Sequence, residues 1–142
     1  MAELIIPKPA VAVVISLLLA KLPTVGYHGV FVSSKIPGPQ TGFINLPPRF
    51  IRVTRAGGGM INRVTDSARL LIECWSDDSA DAEQLANTTR GLLRASSGSR
   101  VAGGFIRGVD MELDDGPTDF PDPLNPEHDR YQFQVAVIVS TN

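Results

Sequence analysis

Residues Ala10–Leu22 read AVAVVISLLLAKL, an apolar run interrupted only by Ser16 and Lys21 and bracketed by Pro9 and Pro23. A membrane-spanning helix needs about 20 residues, so the run is too short to cross a bilayer. A lone Lys8 before it, two prolines in the approach and no A-x-A site after it argue against an export signal. A buried helix fits better. Pro9 suits a first-turn position, where a missing N–H goes unnoticed, and Pro23 bars continuation. Val11, Val14, Ile15, Leu18 and Leu22 follow helical spacing, and Ala10, Val13, Leu17 and Ala20 widen the apolar surface. A helix apolar nearly all round must be covered on more than one side, by a sheet and a neighbour or by another subunit.

Beyond this helix the chain is mostly strand. His28–Ser33 suits a short one. Ser34–Pro48 holds four prolines and two glycines, so it is a long loop. Arg49–Arg55 alternates, with Ile51 and Val53 on one side and Arg52 and Thr54 on the other. Gly57-Gly58-Gly59 then begins a flexible turn into Ser67–Trp75, where Leu70, Ile72 and Cys74 oppose Leu71, Glu73 and Trp75. Asp78 or Ser79 caps a second helix with Ala82, Leu85, Ala86, Thr89 and Leu93 as its inward stripe, and Gly98 is its stop. Ser99–Leu113 carries a weaker strand signal, bent or bulged near Gly103, Gly104 and Gly108. Asp114–Asp129 is a second long loop, rich in acid and proline. In Tyr131–Val139 the odd-numbered residues are apolar and the pattern is antiparallel. The order α-β-β-β-α-β-β gives an α+β fold, a mainly antiparallel sheet with two helices on one face. A chain of 142 residues suits one domain over 1–142, with long loops at about 34–48 and 114–129.

Charge is unevenly placed. The formal net charge is -2, which excludes a globally basic nucleic-acid binder. Yet Lys35–Arg69 holds six cations and one acid, and Asp110–Asp129 holds eight acids and no Lys or Arg. Two solvated faces are the simpler account. The sharper one is that opposed segments dock copies of the chain on each other, which makes Arg49, Arg52, Arg55, Asp114, Asp115, Asp119 and Asp122 candidate interface residues. No motif supports catalysis. His28 and His128 form no H-x-x-x-H pair. Asp110, Glu112 and Asp114 copy the alternation of a calcium loop, but Asp115 stands where its glycine belongs. The glycine triplet lacks the Lys-Ser/Thr of a phosphate loop. Cys74 is a single cysteine, so it is read as a small buried hydrophobe. No catalytic, metal or cofactor-binding residue is assigned, and no cofactor.

Four pieces, in order, carry a resemblance: the N-terminal apolar helix, RFIRVTRAGG (residues 49–58), VTDSARLLIECWSDDSADAEQLANTTRGLL (64–93) and GPTDFPDPLNPEHDRYQFQVAVIV (116–139). Together they resemble the tail terminator proteins of long-tailed bacteriophages with non-contractile tails, over about two-thirds of the chain. The resemblance implies a structural virion protein of the tail and neck, not an enzyme, assembled in the cytoplasm of a bacterial host. It implies a homo-oligomeric ring, hexameric in expectation, that sits on the major tail tube protein and stops its polymerisation. Its other face would meet a head-completion or connector protein, with DNA passing through the lumen but no sequence-specific nucleic-acid contact. Another neck component, such as a head-closure or tail-completion protein, is the alternative within the virion. A small-molecule-binding or enzymatic α+β domain is the alternative outside it.

Overall fold

The computed structural model describes residues 3–110 and 116–141. Helix α1 (Ala10–Lys21) leads through a tight helical turn, Leu22–Val25, to strand β1 (Phe31–Ser33). Strands β2 (Arg49–Met60) and β3 (Thr65–Ser76) form a long hairpin, and helix α2 (Ser79–Arg94) comes next. Then come β4 (Arg100–Val101), β5 (Gly104–Asp110), β6 (Thr118–Asp119) and β7 (Asp129–Ser140). Among the described residues the sheet runs β1-β2-β3-β7-β5-β4, with β6 also on β7. Among the described strands only the β1–β2 pair is parallel. The expected α+β class and element order hold, with two-residue strands β4 and β6 added.

The core lies between the helices and one face of this sheet. Ile51, Val53, Leu70, Ile72, Cys74, Val135 and Val137 meet Val13, Val14, Leu17 and Leu18 of α1 and Leu85, Ala86 and Leu93 of α2. All five residues of the expected α2 stripe are buried. Asp78 caps that helix, accepting the Asp81 N–H at 3.0 Å, which satisfies one of its free donors. Of the expected α1 stripe, Val14, Leu18 and Leu22 are buried, whereas Val11 and Ile15 are half-covered; Ala10, Val13 and Leu17, expected to widen the apolar surface, complete the buried face. Pro9 is the N-cap of α1 rather than a first-turn residue.

The glycine triplet is a second correction. It does not begin the turn but belongs to β2, whose pairing with β3 continues to Met60↔Asp66. The register shifts between Arg55 and Gly57, a bulge that bends the strand. Gly58 adopts φ +89°, and a Cβ there would stand 2.0 Å from the Ser67 carbonyl oxygen and 2.8 Å from the Arg69 nitrogen. Both backbone atoms belong to the paired strand, so no side chain fits. Gly59, one residue on, has open space and no such φ. The bulge near Gly108 is found where expected, between Ile106 and Gly108. Ala102 (φ 50°) and Gly103 (φ 79°) make the two-residue turn from β4 to β5, the left-handed pair that tight hairpins favour.

Pairing defines two ends. Arg49, Ser76 and Asp129 lie at one, together with loop 34–48 and the segment 120–128; Met60, Thr65 and Ser140 lie at the other. Gly58→Ala should cost roughly 1–3 kcal/mol of unfolding free energy in urea titration, the scale of a strained backbone site. Gly59→Ala should leave it unchanged to within about 1 kcal/mol.

Candidate subunit interface

The three arginines of the β2 pattern are each met by an acid of the same chain. Arg49, at the start of β2, grips Asp81 in the first turn of α2 through Nε (2.7 Å) and an NH2 group (3.0 Å). Ser76 Oγ donates to the same carboxylate at 2.7 Å, and the guanidinium lies 5.0 Å from the Tyr27 ring centre. The Arg49 guanidinium holds the Asp81 carboxyl below its ordinary value of 3.8, more strongly than burial raises it. Arg55 bonds both oxygens of Asp66 at 2.6 and 2.9 Å across the hairpin, and its Nε donates to the Gly57 carbonyl at 2.9 Å.

Arg52 takes part in a larger cluster on the sheet face away from the helices. Its Nε and second amino group meet Glu73 at 2.8 and 3.1 Å, the strand partner directly opposite. Arg130, from β7, reaches Glu73 Oε2 at 3.0 Å, the oxygen that also accepts from the second amino group of Arg52. Glu73 is only 2% exposed. A buried carboxylate without partners would be very costly, and two guanidinium groups remove that cost. Trp75, next on the same face, stacks on Phe50 with centres 4.6 Å apart and planes 16° apart. Both arginines lie over its ring, at 5.9 and 5.6 Å.

The segment 120–128 folds over one end of this cluster. The Arg130 Nε donates to the Phe120 carbonyl at 2.8 Å. His128 packs on Phe50 and its Nε2 lies 3.0 Å from the Pro47 carbonyl, so the two long loops touch. Asp122 is buried and closes a turn, accepting from the Leu124 N–H at 3.0 Å and the Asn125 amide at 2.6 Å. Burial raises its carboxyl, but these donors outweigh burial and hold it below the usual range. The Trp75 indole adds to that pull, although its N–H makes no well-formed hydrogen bond. Asp119 is exposed on β6. Asp114 and Asp115 lie outside the described residues, as do Glu112 and Asp114 of the calcium-like alternation.

Segment counting therefore missed Glu73, Asp81 and Arg130. The available signal was strand parity, which puts Arg52 and Glu73 on one face, and the acid at the start of α2. Burial pushes the Cys74 thiol up to about 12, far from a reactive thiolate. An open groove of about 370 Å³ beside the cluster is lined by Leu71, Phe120, Gln132, Phe133 and Gln134, with no ionisable side chain. No helix among the described residues is long and apolar enough to cross a membrane, and no group of three or more His, Cys, Asp or Glu there could hold a metal ion.

Glu73→Ala should lower unfolding free energy by about 3–5 kcal/mol, because it strands two arginines. Arg52→Ala should cost clearly less, since Arg130 still neutralises the carboxylate. Chemical denaturation of both variants checks the order. Asp81 carries a lowered pKa, so its contribution is complete above the unfolded-chain value and fades as pH falls through the folded one. Asp81→Asn should flatten the acid limb of stability against pH below about 4, measured by thermal melts in a pH series.

No protein-family model matches the chain, and no curated protein matches it in sequence. Among solved structures it is similar to a chain of the virion of a native gene transfer agent particle, with a TM-score of 0.59 over 92% of this chain and 93% of that one. At 15% identity this is a likeness of fold.

Proposed function

We propose that the protein is a structural component of a phage-like virion, and within it the tail terminator. Copies form a ring, hexameric on this reading, at the head-proximal end of the tail tube. One face of the ring caps the last layer of tube protein and stops its growth. The other joins the head-completion or connector protein, and DNA passes through the lumen. Assembly takes place in the bacterial cytoplasm, and the chemistry is that of binding, not catalysis.

The observation that carries this reading is the likeness in fold, along nearly the whole chain, to a component of a gene transfer agent virion. The ordered motifs from Arg49 to Val139 add the finer assignment. The interface assignment of Arg49, Arg52, Arg55, Asp114, Asp115, Asp119 and Asp122 belongs to the same proposal. Within it, Arg49, Arg55 and Asp119 are the most available. Arg49 and Arg55 keep side chains 40% and 37% exposed despite their bridges, and Asp119 is exposed with no ion pair among the described residues. Asp122, buried in its own turn, would act by shaping the loop.

An amber mutation in the gene tests the proposal. Electron microscopy of lysates should show tails of uncontrolled length, and purified protein added to growing tubes should cap them. Normal tails beside leaky heads would point instead to a head-closure protein and overturn the terminator reading.

A further inference from the structure

The chain leaves an extended arm on one side of its sheet and an open strand edge on the other. Residues Glu3–Pro9 form no helix or strand, yet they contain Leu4, Ile5 and Ile6, with Leu4 84% and Ile6 69% exposed. Pro7 and Pro9 fix their own φ and hold Ile6 and Lys8 extended. The arm is thus largely prepared as a strand, which lowers the entropy lost on docking. It leaves the body beside the β4–β5 turn, where Lys8 lies against Gly103 and Gly104.

The open edge belongs to β2, four strands away in the sheet order. Strand β1 covers β2 only from Phe50 to Arg52. From Gly58 to Met60 no strand among the described residues lies on its outer side. Such an edge presents unpaired N–H and C=O groups, and this one has few of the usual guards. Arg55 covers only the Gly57 carbonyl. A Cβ at Gly59 would meet nothing within 4 Å and the residue has no positive φ, so nothing within the chain requires glycine there. The bulge lies two residues earlier, between Arg55 and Gly57, and a strand glycine outside a bulge is suited to the close approach of another backbone. Beside it, Met60 and Ile61 are exposed and apolar.

We infer that Leu4–Ile6 of one copy adds as an edge strand beside Gly58–Met60 of the next, with its apolar side chains on Met60 and Ile61. The inference rests on the ring reading above and names the contact that joins neighbouring copies. Donor and acceptor occupy opposite borders of one sheet, so the contact is head-to-tail, the kind that closes a ring. Pro7 has no N–H to donate and ends the added strand.

Mixing two single-cysteine-addition proteins tests it. Ile6→Cys chains and Ile61→Cys chains, combined and mildly oxidised, should give a disulfide-linked dimer that neither gives alone to the same extent. Cys74, fully buried with its thiol pushed up to about 12, stays silent. In parallel, a chain lacking residues 3–6 should keep its melting temperature and self-associate at least about tenfold more weakly in sedimentation. Rings that form without the cross-link, or equally well without the arm, would overturn the arm contact and leave the ring reading standing. Full-length protein that remains monomeric at every concentration, with no cross-link, would overturn both.

Discussion

A carboxylate in the middle strand organises the sheet. Strand β3 pairs along its whole length with β7 and almost as far with β2, and Glu73 sits on it, 2% exposed. Arg52 comes from one neighbouring strand and Arg130 from the other. Backbone hydrogen bonds alone leave a sheet free to slip by two residues and keep its faces. A bidentate clamp from one side and a second guanidinium from the other do not survive such a slip without stranding a buried charge. The clamp also supports what lies beyond it. Arg130 holds the Phe120 carbonyl, the stacked Phe50–Trp75 pair carries His128, and His128 reaches Pro47. Both long loops are therefore anchored through residues that surround one buried charge.

The parts of the fold that could be read from sequence are those where apolar and polar residues contrast sharply. In α2 the buried residues are the five expected, and in β7 Phe133, Val135, Val137 and Val139 are buried as expected, with Tyr131 half-buried and Ala136 buried on the opposite side. Helix α1 offers almost no contrast. When nearly every residue is apolar, the inward direction is chosen by what packs there, and Leu19 ends half exposed while Val13 and Leu17 go inside. The glycine triplet misled for a related reason. Three glycines suggest a turn when only neighbours in sequence are considered. The requirement at Gly58 comes from Ser67, on the other strand, and the window around Gly58 contains no trace of it.

Charge teaches the same lesson from the other side. Counting over Lys35–Arg69 sees Asp66 but stops short of Glu73 and Asp81, although Arg52 and Arg49 meet those two acids at 2.8 and 2.7 Å. Three of the six cations of the basic middle are thus paired within the chain. Reversing Arg52 would disturb the monomer before it said anything about assembly. For association, this shifts weight from long-range attraction between opposed segments to short-range features: strand edges, exposed apolar side chains and the acids of the β6 loop. Such contacts depend less on ionic strength than exposed charge pairs do.

A sheet with unlike borders also bears on how a ring could end a tube. If edges join head-to-tail, the strands stand along the ring axis with the tilt that closed sheets adopt, about 35–45°. The two ends of the sheet then become the two faces of the ring, and they differ in kind. One carries loop 34–48, the acidic segment and the exposed Ile44 and Leu124; the other carries the hairpin tip with Met60 and Ile61 and the C-terminal end of β7. Growth along a tube continues when each layer offers the next the surface it has just bound. A ring whose far face is built from other loops with other chemistry binds the last layer and presents nothing for a further one. On the proposed reading, termination needs no switch: it arises from the asymmetry between the ends of a single sheet.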